Sequence, residues 1–376
     1  MMVAGEASGD MYGARLVSEA LRLRPDLAFF GIGGQRMREA GVQILVDAAE
    51  MAVVGLVEVI AHFGIIKHAF TTLRDIIRTD PPDLLILIDY PDFNMLLARQ
   101  ARKRGVKVLY YISPQVWAWR AGRVHKIARL VDHMAVVFPF EVPFYERAGA
   151  PVTFVGHPLV DMVRPTMTRT EALESFGLDH SRKTVGLFPG SRRGEIRRLL
   201  PVILETAARL HRQFPEVQFI LPLASSLTRE ELAPYLAACD LDITVVEGKV
   251  HDVIQVCDAI VTVSGTVTLE IALIGVPMVI IYKVSPLTYH VGKRLIRVDH
   301  IGICNIVAGD RVVPEMIQDD AEPERIAAEI GRMLTDAAYA ASIRDKLGAI
   351  PALLGRGGAS ERTARLALDM IRTDAS

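Results

Sequence analysis

Short apolar, β-branched runs alternate with longer segments of helical period along most of this chain, and few folds tolerate that alternation. DLLILID (83–89), KVLYYIS (107–113), HMAVVF (133–138) and VTFVG (152–156) read as strands buried on both faces. Between them, FNMLLARQARKRG and RAGRVHKIARLV have the period of amphipathic helices. Parallel strands must be joined by long crossovers, so this alternation predicts a parallel sheet with helices on both faces. The pattern pauses at 156–183, which is expected to carry a short helix at most and to serve as an interdomain linker. A second series then begins, with strands at TVGLFP (184–189), VQFILPLA (217–224), ITVVEG (243–248), DAIVTVS (258–264) and PMVIIYK (277–283). From about residue 319 the pattern is helical throughout. The expected fold class is α/β: two Rossmann-like domains facing a central cleft, with a helical C-terminal tail and ligands at the carboxyl ends of the strands. The opening strand, MMVA, is very short, as it would be if the true start of the domain lay upstream.

A length of 376 residues accommodates two such domains. With 51% hydrophobic and 23% charged residues, the composition is globular and leaves no disordered bulk. The net charge of −1 argues against a general nucleic-acid binder, so any basic site must be local. Cys239, Cys257 and Cys304 show neither CxxC nor metal-ligand spacing and read as free thiols in a reducing cytosol. The residues MMVAGEASGD carry no secretory signal. The run IALIGVPMVIIY (271–282) is too short to span a bilayer and is punctuated by Gly275 and Pro277. The expectation is a soluble protein, or one bound to a membrane surface.

The basic site is local indeed. LFPGSRRGEIRRLLP (187–201) gathers Arg192, Arg193, Arg197 and Arg198 just after an apolar run. Gly190 and Ser191 make a turn, and a helix is expected from about Gly194. Free backbone N–H groups at a helix start, with the dipole behind them, form an anion site. Arg192 lies in the turn, where its fork can grip phosphate oxygens, whereas Arg197 and Arg198 are expected to face solvent. An ordinary solvated basic helix would have the same arginine count. The segment is not a P-loop, because the GxxxxGK[ST] lysine and spacing are absent. VTVSGTVTLEIALIG (261–275) repeats the theme, with Ser264, Gly265 and Thr266 in a turn and Glu270 in the helix that follows. Its hydroxyls and amides could hold a second part of one diphosphate, and Glu270 could accept two hydrogen bonds from a ribose diol. A helix capped by Thr266 or Thr268 would look the same. Two such turns in one domain point to a nucleoside diphosphate.

In the first domain, GEASGDMYGARL (5–16) does not fit GxGxxG, so a dinucleotide cofactor is poorly supported. Gly5, Ser8 and Gly9 would let a ligand approach the backbone, and Glu6 and Asp10 suit hydroxyl recognition; a plain strand–helix connection is the alternative. In LLILIDYPDFN (85–94), Asp89 closes a buried strand at its carboxyl end. Burial there raises a carboxyl pKa towards the range of a general base. A structural carboxylate bonded to loop amides is the competing role. Asp92 is expected to cap the next helix. SPQVWAWRAGRVHK (113–126) holds Trp117 and Trp119, with Arg120 and Arg123 beyond; the tryptophans either pack a domain edge or wall a sugar or acyl site. His157, in GHP, is either structural or functional. The apolar region 53–77 reads as a core helix, with a membrane-facing patch as the alternative.

Seven of these segments, VAGEASGD, VVGLVEV, IDYPDFN, SPQVWAWR, VGHP, PGSRRGE and SGTVTLE, occur in an order and spacing that resembles the lipid-A-disaccharide synthase family, inverting glycosyltransferases of GT-B architecture. The resemblance runs from residue 3 to the C-terminal helices. It implies that UDP-2,3-diacylglucosamine and 2,3-diacylglucosamine 1-phosphate are joined into a β-1,6-linked disaccharide 1-phosphate, with release of UDP. It implies Asp89 as catalytic base and Arg192 as the essential arginine. Substrate contacts are expected from Gly5, Glu6, Ser8, Gly9, Asp10, Asn94, Gly190, Ser191, Ser264, Gly265, Thr266, Glu270 and Asn305 (in GICNIVAG). Tyr90 departs from the small residue common at its place in the motif. The expected domains are 1–163, acceptor and membrane-facing, and 164–349, donor, with helices of about 350–376 packing back on the first. No cofactor and no metal are expected, since no DxD-like pair ends a strand of the donor domain. The expected partners are the two acylated sugars, a membrane surface on the cytoplasmic face of the inner membrane, and a second copy of the chain as a homodimer, but no nucleic acid. The competing readings are a UDP-N-acetylglucosamine epimerase type of isomerase and a non-catalytic lipid-surface binder.

Overall fold

The computed structural model describes residues 1–51, 63–114, 121–284 and 299–372. The chain divides into two compact units, Met1–Pro158 with Leu354–Ser376, and Leu159–Leu353.

The first unit is built on a seven-stranded sheet of β1 (Met2–Ala4), β2 (Phe30–Gly33), β3 (Gln43–Asp47), β4 (Leu84–Ile88), β5 (Lys107–Tyr111), β6 (His133–Val136) and β7 (Val152–Phe154). All strand pairs are parallel, in the order β3-β2-β1-β4-β5-β6-β7. The order reverses between β1 and β4, which is the switch point where such sheets open a crevice for ligands. β4 is buried along its whole length, as its uninterrupted apolar run requires. Val3, Ile32, Leu85, Leu87, Val108 and Tyr110 belong to the hydrophobic core. The C-terminal helix Ala359–Arg372 packs along the helix Ala7–Leu23, and Lys107 Nζ caps it by donating to the Met370 carbonyl at 2.9 Å.

The second unit has a six-stranded parallel sheet of β8 (Thr184–Phe188), β9 (Gln218–Leu223), β10 (Ile243–Glu247), β11 (Ala259–Val263), β12 (Met278–Tyr282) and β13 (Glu315–Ile317). Its order is β10-β9-β8-β11-β12-β13, so its switch point falls between β8 and β11. The helices Pro323–Thr335 and Ala337–Gly348 complete the unit.

The sequence reading anticipates the strands with contiguous apolar runs and misses β2, β3 and β13. Half of β2 is glycine (FGIG), and β13 has only three residues. The stretch 156–183 is not a linker. It carries the helix Arg169–Phe176, capped reciprocally by Thr168 and Glu171 and ended by Gly177 in the left-handed region. Just before it, the buried Asp252 carboxylate accepts hydrogen bonds from Thr166 N (2.7 Å), Thr166 Oγ1 (2.8 Å) and Met167 N (2.9 Å). The segment is thus bound into the second unit. Asp252→Ala would leave these donors without their acceptor, and the expected loss in urea denaturation is about 1–3 kcal/mol; an unchanged midpoint would count against this anchoring.

Candidate functional site

In the first unit, the loops after β1 and β4 lie side by side because their strands are neighbours. Asp89 and Tyr90 both have positive φ, 45° and 48°, a conformation that costs a side-chain-bearing residue energy. Two groups hold this strained pair. Tyr110 Oη donates to the Asp89 carbonyl at 2.7 Å, and Asn94 Nδ2 donates to the same oxygen at 2.6 Å and to Ile88 O at 3.3 Å. Burial raises the Tyr110 hydroxyl well above its ordinary pKa, so it stays protonated and donates. The half-buried Asp89 side chain is therefore carried on a fixed backbone. Sequence reasoning missed Tyr110, which reads there as one more apolar strand residue.

In this loop pair, several residues of the expected contact set have partners within the protein. Asp10 is buried, and its carboxylate accepts from Gly34 N (2.6 Å), Arg36 N (3.1 Å) and Met37 N (3.0 Å), so it anchors the start of the helix Gln35–Glu39. Asn94 is buried and donates its Nδ2 to the Asp89 loop, while its Oδ1 has no hydrogen-bond partner within the protein. Gly5 admits the Tyr90 ring: a Cβ there would lie 2.5 Å from it. Gly9 faces Ala4 and Ile88 of the sheet. Glu6 and Ser8, at the entry of the helix Ala7–Leu23, remain partly exposed.

In the second unit, the loops after β8 and β11 meet at the switch point. Gly190 has φ +99°, and the helix begins at Arg193. The amides of the turn are not all free, contrary to expectation. Glu195 Oε2 accepts from Ser191 N (3.2 Å) and Arg192 N (3.3 Å), while Oε1 holds the Arg192 guanidinium at 3.3 Å. A Cβ on residue 190 would stand 2.3 Å from Glu195 Oε2, so this glycine admits the carboxylate. Arg192, Arg197 and Arg198 are exposed. Tyr282 stands near the turn. Burial, with the Glu195 charge adding to it, raises its hydroxyl pKa, and Arg192 and Arg198 act the other way.

Across the switch point, Ser264 Oγ donates to Ile301 O at 2.8 Å, and Thr268 Oγ1 donates to Gly265 O at 2.8 Å. Thr266, at the N-cap, makes no side-chain cap hydrogen bond, and the Thr268 hydroxyl donates to a carbonyl, so the capped-helix alternative is not seen. Gly265 has open space where a Cβ would sit. Glu270 Oε2 lies 2.9 Å from His251 Nε2, a partner that sequence reasoning missed. Asn305 is fully buried and uses its whole hydrogen-bonding capacity: it donates to Val313 O (2.9 Å) and Glu315 Oε1 (2.8 Å), and accepts from Val312 N (2.9 Å) and Val313 N (3.0 Å). Glu315 also accepts from Ile301 N (3.0 Å) and Gly302 N (2.8 Å). Asn305 thus clasps the segment on which Ser264 rests.

Asp92 is not a helix cap. Tyr90 occupies that position, and Asp92 sits in the first turn, paired with Arg123 at 2.9 Å. Trp117 and Trp119 lie outside the described residues, as does the VVGLVEV motif. The described part of the apolar region forms the helix Phe63–Thr79, whose Ala69, Leu73 and Ile77 enter the core. His157 is buried against Tyr12 and Phe138, and burial pushes its pKa down to about 3, so it is neutral. Among the described residues, no helix is long and apolar enough to cross a membrane, and no group of three or more His, Cys, Asp or Glu side chains could hold a metal ion.

A family model described as lipid-A-disaccharide synthetase matches residues 1–356. The lipid-A-disaccharide synthase of Geobacter sulfurreducens is 73% identical over 371 residues, covering 99% of this chain and 97% of the relative. That of Geobacter metallireducens is 70% identical over the same length and coverage. Among solved structures, the UDP-GlcNAc 2-epimerase of Neisseria meningitidis superposes with a TM-score of 0.66 at 14% identity, covering 96% of this chain and 97% of that one. This last likeness is one of fold.

Asn305→Ala would strand the Val312 and Val313 amides and one Glu315 oxygen, so it should lower stability by about 1–3 kcal/mol. A residue that only touched substrate would leave the melting temperature unchanged. His157 has a folded pKa of about 3 against an ordinary value of 6.5. The unfolded chain therefore binds the proton first, and stability should fall as pH drops from about 6.5 towards 3. Thermal melts of His157→Asn at pH 7 and pH 5 should show a smaller acid loss than wild type; an equal loss would remove His157 as a contributor.

Proposed function

The chain belongs to the lipid-A-disaccharide synthase family, and from that premise we propose how its residues divide the reaction. It is a glycosyltransferase with a UDP-sugar donor and a lipid-linked acceptor. In the finer reading, the donor is UDP-2,3-diacylglucosamine and the acceptor 2,3-diacylglucosamine 1-phosphate. The product is the β-1,6-linked disaccharide 1-phosphate, with UDP released. Acylated substrates are reached at a lipid surface, so the reading includes peripheral association with the cytoplasmic face of the inner membrane.

Asp89 takes the proton from the acceptor primary hydroxyl as that oxygen attacks the donor anomeric carbon. The new C–O bond forms on the face opposite the breaking bond to the diphosphate, so an α-linked donor gives a β product. The strained loop supports this role, since Tyr110 and Asn94 fix the backbone that carries the carboxylate. Negative charge grows on the departing diphosphate. Arg192 and the first amides of its helix, those of Arg193 and Gly194, meet that charge, with Glu195 holding the arginine in the turn. The turn after β11, with Gly265 and Thr266, offers a second contact, and Glu270 accepts from the ribose diol. The observation that carries the reading is the presence of the family's motif residues in the loops at the two switch points, within a chain that matches the family over nearly its whole length.

The test is product analysis by mass spectrometry, with purified protein in detergent micelles and both diacyl substrates. Wild type should give a tetra-acyl disaccharide and UDP. Asp89→Asn should be slower by roughly 10²–10⁴-fold, and Arg192→Ala by on the order of 10²–10³-fold. Near-normal turnover by Asp89→Asn would remove it as the base. An altered donor sugar without disaccharide would point to the isomerase instead. Because arginine and amides meet the leaving group, the rate should be unchanged in EDTA; a strong loss would overturn the metal-free reading.

A further inference from the structure

His251 and Glu270 come from different helices, Val250–Val256 after β10 and Val267–Ile274 after β11. Their side chains nonetheless meet at 2.9 Å, between Nε2 and Oε2, and both are mostly enclosed, with 21% and 16% of their side chains exposed. An ionised carboxylate can only accept, so Nε2 carries the hydrogen. The bond fixes one of the two carboxylate oxygens. It also removes the rotation that a glutamate side chain would otherwise lose on binding a ligand. Glu270 sits one turn into the helix that starts at the β8–β11 switch point, on the same edge of the sheet as the Arg192 turn.

We infer that His251 is a positioning residue for ribose recognition: it pins Glu270 Oε2 so that the other carboxylate oxygen meets the 2′- and 3′-hydroxyls of a uridine diphosphate. The inference rests on the reading of Glu270 as the ribose acceptor. It assigns His251 no contact with the nucleotide. His251 should instead govern how well the site tells a ribose from a deoxyribose, because a loosened carboxylate loses directional preference before it loses charge.

The test is calorimetric titration of wild type, Glu270→Gln, His251→Ala and His251→Gln with UDP and with 2′-deoxy-UDP. Gln carries its amide nitrogen the same number of bonds from Cα as the His Nε2, so it can restore the hydrogen bond. Wild type should prefer UDP by ~10-fold or more, the scale of a hydrogen bond to a charged group. Glu270→Gln and His251→Ala should both bring the ratio towards one, and His251→Gln should keep most of it. Thermal melts check that each variant is folded. A collapsed ratio in Glu270→Gln with an intact ratio in His251→Ala would overturn the inference and leave the ribose reading standing. An intact ratio in Glu270→Gln, or no preference in wild type, would overturn both, whatever the disaccharide assay shows.

Discussion

Parallel strands leave a set of backbone amides at their carboxyl ends that no ladder satisfies, and the loops there must find other acceptors. In this protein carboxylates supply acceptors repeatedly, both there and at the entry to the helix Arg169–Phe176. Asp10 takes three amides from 34–37, Asp252 takes two from 166–167, Glu195 takes two from the arginine turn, and Glu315 takes two from 301–302. Each is a charged acceptor on neutral donors, a stronger bond than a neutral pair makes. The arginine turn, and the 301–302 segment on which Ser264 rests, are therefore held by the protein's own anions. This is the preorganisation that a transition-state binding site requires.

The Asp89 loop is held differently. Its carbonyl is the shared acceptor of a tyrosine hydroxyl and an asparagine amide, and both donors are buried. Two successive left-handed residues are costly, more so at Tyr90 than at Asp89, since Asp tolerates that region better than a bulky side chain does. The bonds go to the backbone carbonyl, so they fix the main chain that carries the Asp89 side chain.

How much of this was legible in the sequence follows from the range of each interaction. β4, β5, β8 and β11 are contiguous apolar runs, so local pattern reveals them. β2 is half glycine and β13 has three residues, and their strand character comes from neighbours already in the sheet. The turns at Gly190 and Gly265 were legible because the breaker residues sit between a strand and a helix. Their acceptors were not. Asp10 reaches 24 residues or more along the chain, and Asp252 reaches 86 to Thr166, so no window contains both partners. His251 was passed over because nothing local ties it to Glu270; only the packing of two crossover helices brings them together.

Glycine shows the same limit most sharply. Gly5 and Gly190 stand in motifs that suggest backbone approached by ligand, and each position does require the missing side chain. Yet the Tyr90 ring lies against Gly5, and the Glu195 carboxylate lies against Gly190. The close approach is real, but the visitor is another part of the protein. At Gly5 the occupant is the Tyr90 ring, which the missing side chain admits. At Gly190 the occupant is an anion, seated against two amides and one guanidinium. That carboxylate demonstrates the electrostatic preference of the turn, since a site that holds a glutamate in this way is built for negative charge. The same preference would serve a diphosphate arriving at the helix amides beside it.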